Sequence, residues 1–124
     1  AVDEIRKVRE SGRGGMAHAC ELETSVYLHL DAGRVQFEKA RKDMGMPPSS
    51  FIWMDLIEGS PVLLMDEWTR FSKSGVYGDP TLATAEKGKI GFEAVVNAFV
   101  KLVREFKNRP RGERTDYHKQ DSPF

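Results

Sequence analysis

This chain of 124 residues carries little of several things that would otherwise define it. It has one cysteine, Cys20, so an internal disulfide framework is excluded and a reducing, cytoplasmic setting fits. It has no excess of either charge. Nineteen basic side chains face nineteen acidic ones, so no long-range field draws it to nucleic acid or to an anionic membrane. No apolar run approaches the roughly 20 residues that cross a bilayer, and there is no secretory signal pattern. Internal repeats are lacking too. What remains is 40% hydrophobic, enough for a real core, and its length is that of one domain or half of a larger one.

Punctuation by glycine and proline gives the coarse organisation. Residues 1–10 read as the last turns of a helix ending at Ser11-Gly12, because Val2, Ile5 and Val8 repeat between Glu4, Arg6 and Lys7. Ala1 thus lies inside a helical pattern, and the expectation is that something upstream is absent from the chain. Arg13 to Ala17 reads as a loop, and Glu21 to Leu30 as a short, largely buried helix. Val35 to Met44 is compatible with a further helical piece. Phe51–Ile57 and Pro61–Met65 are short apolar runs, open to strand or loop. Ser72 to Pro80 reads as a loop.

The longest element follows. Phe92, Val95, Val96, Phe99, Leu102, Val103 and Phe106 repeat at helical spacing, with Lys89, Glu93, Asn97, Lys101, Arg104 and Glu105 opposite. This predicts a helix over about residues 82–107, with Asp79 as cap and Pro80 in its first turn. Gly88 and Gly91 weaken its first turns and suit close packing against a sheet. Residues 108–124 form a polar tail, expected to be extended or disordered.

Chemistry concentrates in Gly14-Gly15-Met16-Ala17-His18-Ala19-Cys20-Glu21-Leu22-Glu23-Thr24-Ser25. Small residues let a substrate approach a cluster of one histidine and two carboxylates. On a helix, His18 and Glu21 would share a face, while Glu23 would point elsewhere. Such groups can ligate a metal, or supply a general acid with an orienting carboxylate. They can equally be a helix start, with Glu21 and Glu23 favouring the macrodipole and His18 in a loop. A second cluster is missing, since His29 sits in an apolar run and His118 in the tail, so no metal ligands are assigned to this chain. Cys20 reads either as a nucleophilic thiol or as a buried inert one. Trp53 and Trp68 could line a pocket or sit in the core. Gly75–Thr81 could form a site wall or merely a turn with a cap.

The segment His18-Ala19-Cys20-Glu21-Leu22-Glu23-Thr24-Ser25 resembles the His-Ala-Gly-Glu-x-Glu-Thr-Ser motif of the creatininase (creatinine amidohydrolase) family. Gly75-Val76-Tyr77-Gly78-Asp79-Pro80, then Ala83–Gly88, is similar to that family's later loop and the start of its last helix. The likeness covers roughly residues 10–107. It implies an α/β sandwich with a mostly parallel sheet and a long C-terminal helix, of which residues 1–107 would be the C-terminal part. It also implies two divalent metal ions (zinc, manganese or iron), held mainly by a missing N-terminal half in a separate or lost chain. A metal-bound hydroxide would open a cyclic or linear amide or lactam, in a homo-oligomer. His18 matches the family histidine that handles the proton, and Glu23 a motif carboxylate that orients it. Gly14, Gly15, His18 and Glu21 would meet substrate. Gly14-Gly15 stand where creatinine-hydrolysing members carry a tryptophan lid, which points away from creatinine itself. The alternative is a non-catalytic partner subunit or interaction module, with a structural His18 cluster.

Overall fold

A computed structural model describes residues 1–119. Five regular elements order the fold: α1 (Val2–Val8), β1 (Met16–His18), α2 (Glu21–Asp31), β2 (Tyr77–Gly78) and α3 (Ala85–Asn108). The strands pair antiparallel, Met16 opposite Gly78 and His18 opposite Tyr77, with an irregularity between the two pairs. Asp43 extends this ribbon through a bridge to Gly78, exchanging N–H···O bonds of 3.0 and 2.7 Å. Among the described residues the sheet is this short antiparallel ribbon, and no parallel pairing is seen. Its closeness depends on Gly78, which sits at φ 146° with Gly15 O 2.6 Å from where a Cβ would lie.

The helices account for most of the packing. Ile5 of α1, Met16 of β1, Cys20 and Ile57 form the small core, with Leu22 of α2 packed against it. Helices α2 and α3 meet through glycines. A Cβ on Gly88 would lie 1.8 Å from Ser25 O, and one on Gly91 would lie 2.8 Å from Leu22 Cδ1. The two glycines thus serve a helix–helix contact and not the helix–sheet contact expected. Ser25 Oγ joins the same seam, donating to Glu21 O at 2.5 Å and accepting from Thr84 N at 3.1 Å.

Helix α3 begins three residues later than expected. Thr84 is its cap, accepting the Lys87 N–H at 3.2 Å. Asp79 instead caps the single 3-10 turn Pro80–Leu82, accepting from Thr81 N at 3.2 Å. Helix α2 occurs where expected, but its buried residues are Glu21 and Ser25, while Tyr27 and Leu30 are exposed. The helical piece over Val35–Met44 shrinks to a 3-10 turn at Phe37–Lys39. Phe51–Ile57 and Pro61–Met65 adopt neither helix nor strand. Beyond Asn108 the tail is irregular up to a 3-10 turn at Tyr117–Lys119. The rest of the tail, residues 120–124, lies outside the described residues.

Candidate active-site cleft

His18 closes β1 and is exposed, so it is presented from a strand end and not from the helix face that the three-residue spacing to Glu21 suggested. The chain then turns sharply. Ala19 has φ 47°, the one non-glycine residue in the left-handed region among the described residues. Such a backbone is unfavourable for a residue with a Cβ and is kept where its surroundings over-determine it. Here the strand pairing fixes one side of the turn and the start of α2 fixes the other. Thr24 Oγ1 donates to Ala19 O at 3.4 Å, and the Glu23 carboxylate accepts the Cys20 N–H at 3.4 Å.

This turn forms one wall of a cleft of about 410 Å³. His18, Ala19 and Glu23 line it together with Tyr27 and Thr24 of α2, and Arg34 and Val35 form the opposite rim. Arg34 Nε is paired with Asp31 at 2.8 Å. The imidazole of His18 is also held from the side: the Trp68 ring stands edge-on to it, 5.1 Å between centroids and 81° between planes. Trp68 is itself anchored, donating from Nε1 to Gly75 O at 3.1 Å. The loop that carries Gly75 is gathered by Asp43, which accepts from Ser74 Oγ at 2.6 Å and from Ser72 Oγ, Lys73 N and Ser74 N at 3.1 Å each. Those bonds, those from Ser74 foremost, hold the Asp43 carboxyl below its usual range.

The structure therefore brings His18 and Glu23 to one cleft and separates them from Glu21, Cys20, Gly14 and Gly15. Glu21 is fully buried on the far side of the turn. It accepts from Glu10 N at 3.0 Å and Ser11 N at 2.9 Å, and pairs with Lys87 Nζ at 2.6 Å. Burial pushes its carboxyl up, but Lys87 and these N–H groups outweigh that, and its pKa lies below the usual value. Lys87 in turn reaches Glu10 at 2.6 Å and Leu82 O at 2.7 Å. Burial works against its charge, and the two glutamates outweigh it, so its pKa is raised. Glu21 thus ties the segment after α1 to α2 and α3, and the structure does not place it against the cleft as a substrate contact.

Gly14 and Gly15 are likewise buried and stand apart from His18. Gly14, at φ 83°, donates its N–H to Asp55 at 2.7 Å and borders a separate groove with Met44, Met46 and Trp53. Gly15 O accepts from Asp79 N at 3.0 Å, and a Cβ there would collide with Ser11. Both glycines serve backbone packing. Asp55 is the hub of that loop. Its side chain is fully buried, pairs with Arg9 at 2.6 Å, and accepts from Ile57 N and Glu58 N at 2.9 and 3.0 Å. Burial raises the Asp55 carboxyl, but Arg9 and the N–H groups outweigh it, leaving it below its usual range.

Cys20 is fully buried in the core, and burial pushes its thiol up to about 11, so it is the inert alternative and not a nucleophile. Among the described residues no group of three or more His, Cys, Asp or Glu side chains is placed to hold a metal ion. The donor set of this chain therefore does not fit the metal pair that the resemblance implies. Three features of the site carried little signal in the sequence. The Trp68–His18 contact joins residues fifty apart, the Arg9–Asp55 pair joins two isolated charges, and Arg34 lies in a run of turn formers. Lys87 did carry one: a cation beside Gly88, on the side where α3 must pack closely.

The family model described as creatininase, creatinine amidohydrolase, matches residues 1–103, and the chain belongs to that family. A mycofactocin precursor peptide peptidase of Mycobacterium tuberculosis (strain CDC 1551 / Oshkosh) is 34% identical over 99 residues, covering 80% of this chain and 36% of the relative. The protein of the same name from Mycobacterium ulcerans (strain Agy99) is 31% identical over 118 residues, covering 87% and 44%. The crystal structure of a candidate creatinine amidohydrolase from Bacteroides fragilis NCTC 9343 superposes with a TM-score of 0.63. It is 22% identical and is matched over 90% of this chain and 43% of its own, a likeness of fold. The chain thus spans less than half the length of the curated relatives it matches. Among the described residues no helix is long and apolar enough to cross a membrane.

Proposed function

We propose that this chain forms the C-terminal portion of a metal-dependent amide hydrolase of the creatininase family. In this reading the His18 cleft is one wall of a site completed by the rest of the domain. The observation that carries it is that His18 and Glu23 line one open cleft beside a left-handed Ala19 turn. An imidazole both takes up and releases a proton near neutral pH, which suits transfer to the leaving nitrogen of an amide, or a hydrogen bond to its carbonyl. Trp68 limits how the His18 ring can rotate. Glu23 holds the turn by capping α2 and presents its carboxylate to the same space. The zinc, manganese or iron ions used by the family would be held by residues outside the described part. The active form would be a cytoplasmic homo-oligomer.

The relatives named as peptidases favour a linear peptide amide over creatinine as substrate. The form of the cleft agrees: it is open, with Tyr27 and Val35 as an apolar lining and Arg34 at the rim. In the complete enzyme, His18→Ala should lower kcat/KM for peptide hydrolysis by about 100-fold or more while the fold is kept. A variant within threefold of wild type would remove His18 from the reaction.

A second reading has one specific support. The Glu23 carboxylate already accepts the Cys20 N–H, as a purely structural cap would. Under this reading the chain is a non-catalytic subunit, and both His18→Ala and Glu23→Gln would leave hydrolysis unchanged.

A further inference from the structure

The apolar stripe that marks α3 in the sequence is not in the core. Every residue from Val95 to Asn108 is exposed, among them Phe99 at 61%, Val103 at 62% and Phe106 at 67%. The buried residues of α3, Gly88 and Gly91, lie in its first two turns, where α2 packs. Ala1 and Glu4, at the start of α1, border Asn97, Lys101 and Glu105 on one side of this half, and the apolar stripe on its other side is left uncovered by the described residues. Val96, Phe99, Val100 and Val103 border a shallow apolar groove of about 370 Å³ along it. From Phe92 to Phe106 the stripe is about 21 Å long at the α-helical rise of ~1.5 Å per residue. A helical segment this short is marginal in water without tertiary packing, and soluble proteins rarely expose a continuous apolar face of this extent.

We infer that this stripe is the docking face for the part of a creatininase-family domain that the chain does not span. The inference rests on the proposed reading of the chain as one portion of such a domain. Two observations name the occupant. The chain covers 36% and 44% of the two mycobacterial relatives, so more than half of that protein is available to pack on it. The family match runs through residue 103, so the stripe from Phe92 to Val103 belongs to the shared fold. The occupant must present a complementary apolar surface.

The test mixes the chain with the unmatched part of the Mycobacterium tuberculosis relative, produced as a separate polypeptide. Association is read by sedimentation and by hydrogen exchange. A one-to-one complex is expected, with amides of residues 95–108 exchanging at least about tenfold more slowly than in the free chain. Phe99→Asp with Val103→Asp should weaken the complex by about 100-fold or more, whereas Asn97→Asp, on the polar side, should change it less than about threefold. Both stripe residues are exposed, so the free variant should keep its circular dichroism. No complex, a complex indifferent to the double variant, or a self-dimer of this chain that the double variant dissociates would each overturn the inference. A complex that protects α3 yet hydrolyses no peptide would support the docking face and count against the proposed activity. A complex that hydrolyses peptide while α3 stays unprotected would do the reverse.

Discussion

Lys87→Met removes the cation from a buried site. Lys87 Nζ lies 2.6 Å from both Glu21 and Glu10, and the Glu21 side chain has no exposure at all. Removing one partner of a buried pair leaves an uncompensated charge, at a cost of roughly 3–5 kcal/mol. Glu21 keeps its bonds from Glu10 N and Ser11 N, which places this case at the low end, about 3 kcal/mol. With a urea m-value of roughly 1.5 kcal/mol/M, the unfolding midpoint should fall by about 2 M.

The pH dependence has a definite sign. The Glu21 pKa is lowered by folding, so its contribution is present above the unfolded value of about 4.3 and is lost as pH falls through the folded value. The Lys87 pKa is raised, so its contribution is present below about 10.4 and is lost as pH rises through the folded value. The gap between wild type and variant should therefore be widest between roughly pH 5 and 10. Adding Glu21→Gln to Lys87→Met removes the stranded charge and keeps an acceptor for one of the two N–H groups, its carbonyl oxygen standing in for one carboxylate oxygen. About 1–2 kcal/mol should return. A Lys87→Met variant within about 0.5 kcal/mol of wild type at pH 7, or no recovery in the double variant, would refute the buried-pair reasoning.

Two further outcomes follow from the same packing. Gly88→Ala places a methyl 1.8 Å from Ser25 O and should force α2 and α3 apart, lowering stability by about 3 kcal/mol or more in thermal unfolding; an unchanged Tm would mean that the helices do not meet there. Cys20, with its thiol pushed up to about 11 and no exposure, should resist an aromatic disulfide reagent at pH 8 until the chain is unfolded, and prompt labelling of the native protein would show that the core around it is open.

Two helices were legible before the structure because local chemistry specifies them: the start of α2 follows from its Glu-x-Glu opening, and α3 from its 3.6-residue period, whereas Arg13–Ala17 reads as a loop and Met16–His18 forms β1. What could not be read is long-range. The fate of Glu21 depends on Lys87, sixty-six residues away, and a carboxylate two positions from Glu23 gives no local sign of pointing inward. The glycines before His18 looked like a site edge, but Gly14 and Gly15 answer to Asp55, Ser11 and Asp79. The α3 stripe reads as a helical face, and what covers it could not be read, because periodicity shows that a face will be covered and not by what. Phe51–Ile57 and Pro61–Met65, open between strand and loop in the sequence, take the loop form, because apolar runs without a partner strand have no ladder to join.

The central claim is that His18 and Glu23 share a cleft where an amide is handled. A crystal structure of the complete enzyme with a non-hydrolysable peptide analogue tests it most directly. The account predicts the analogue's carbonyl or leaving nitrogen within about 3.5 Å of the His18 imidazole, directly or through one water, with Glu23 beside it. An analogue bound elsewhere, with the His18 ring facing solvent alone, would contradict it.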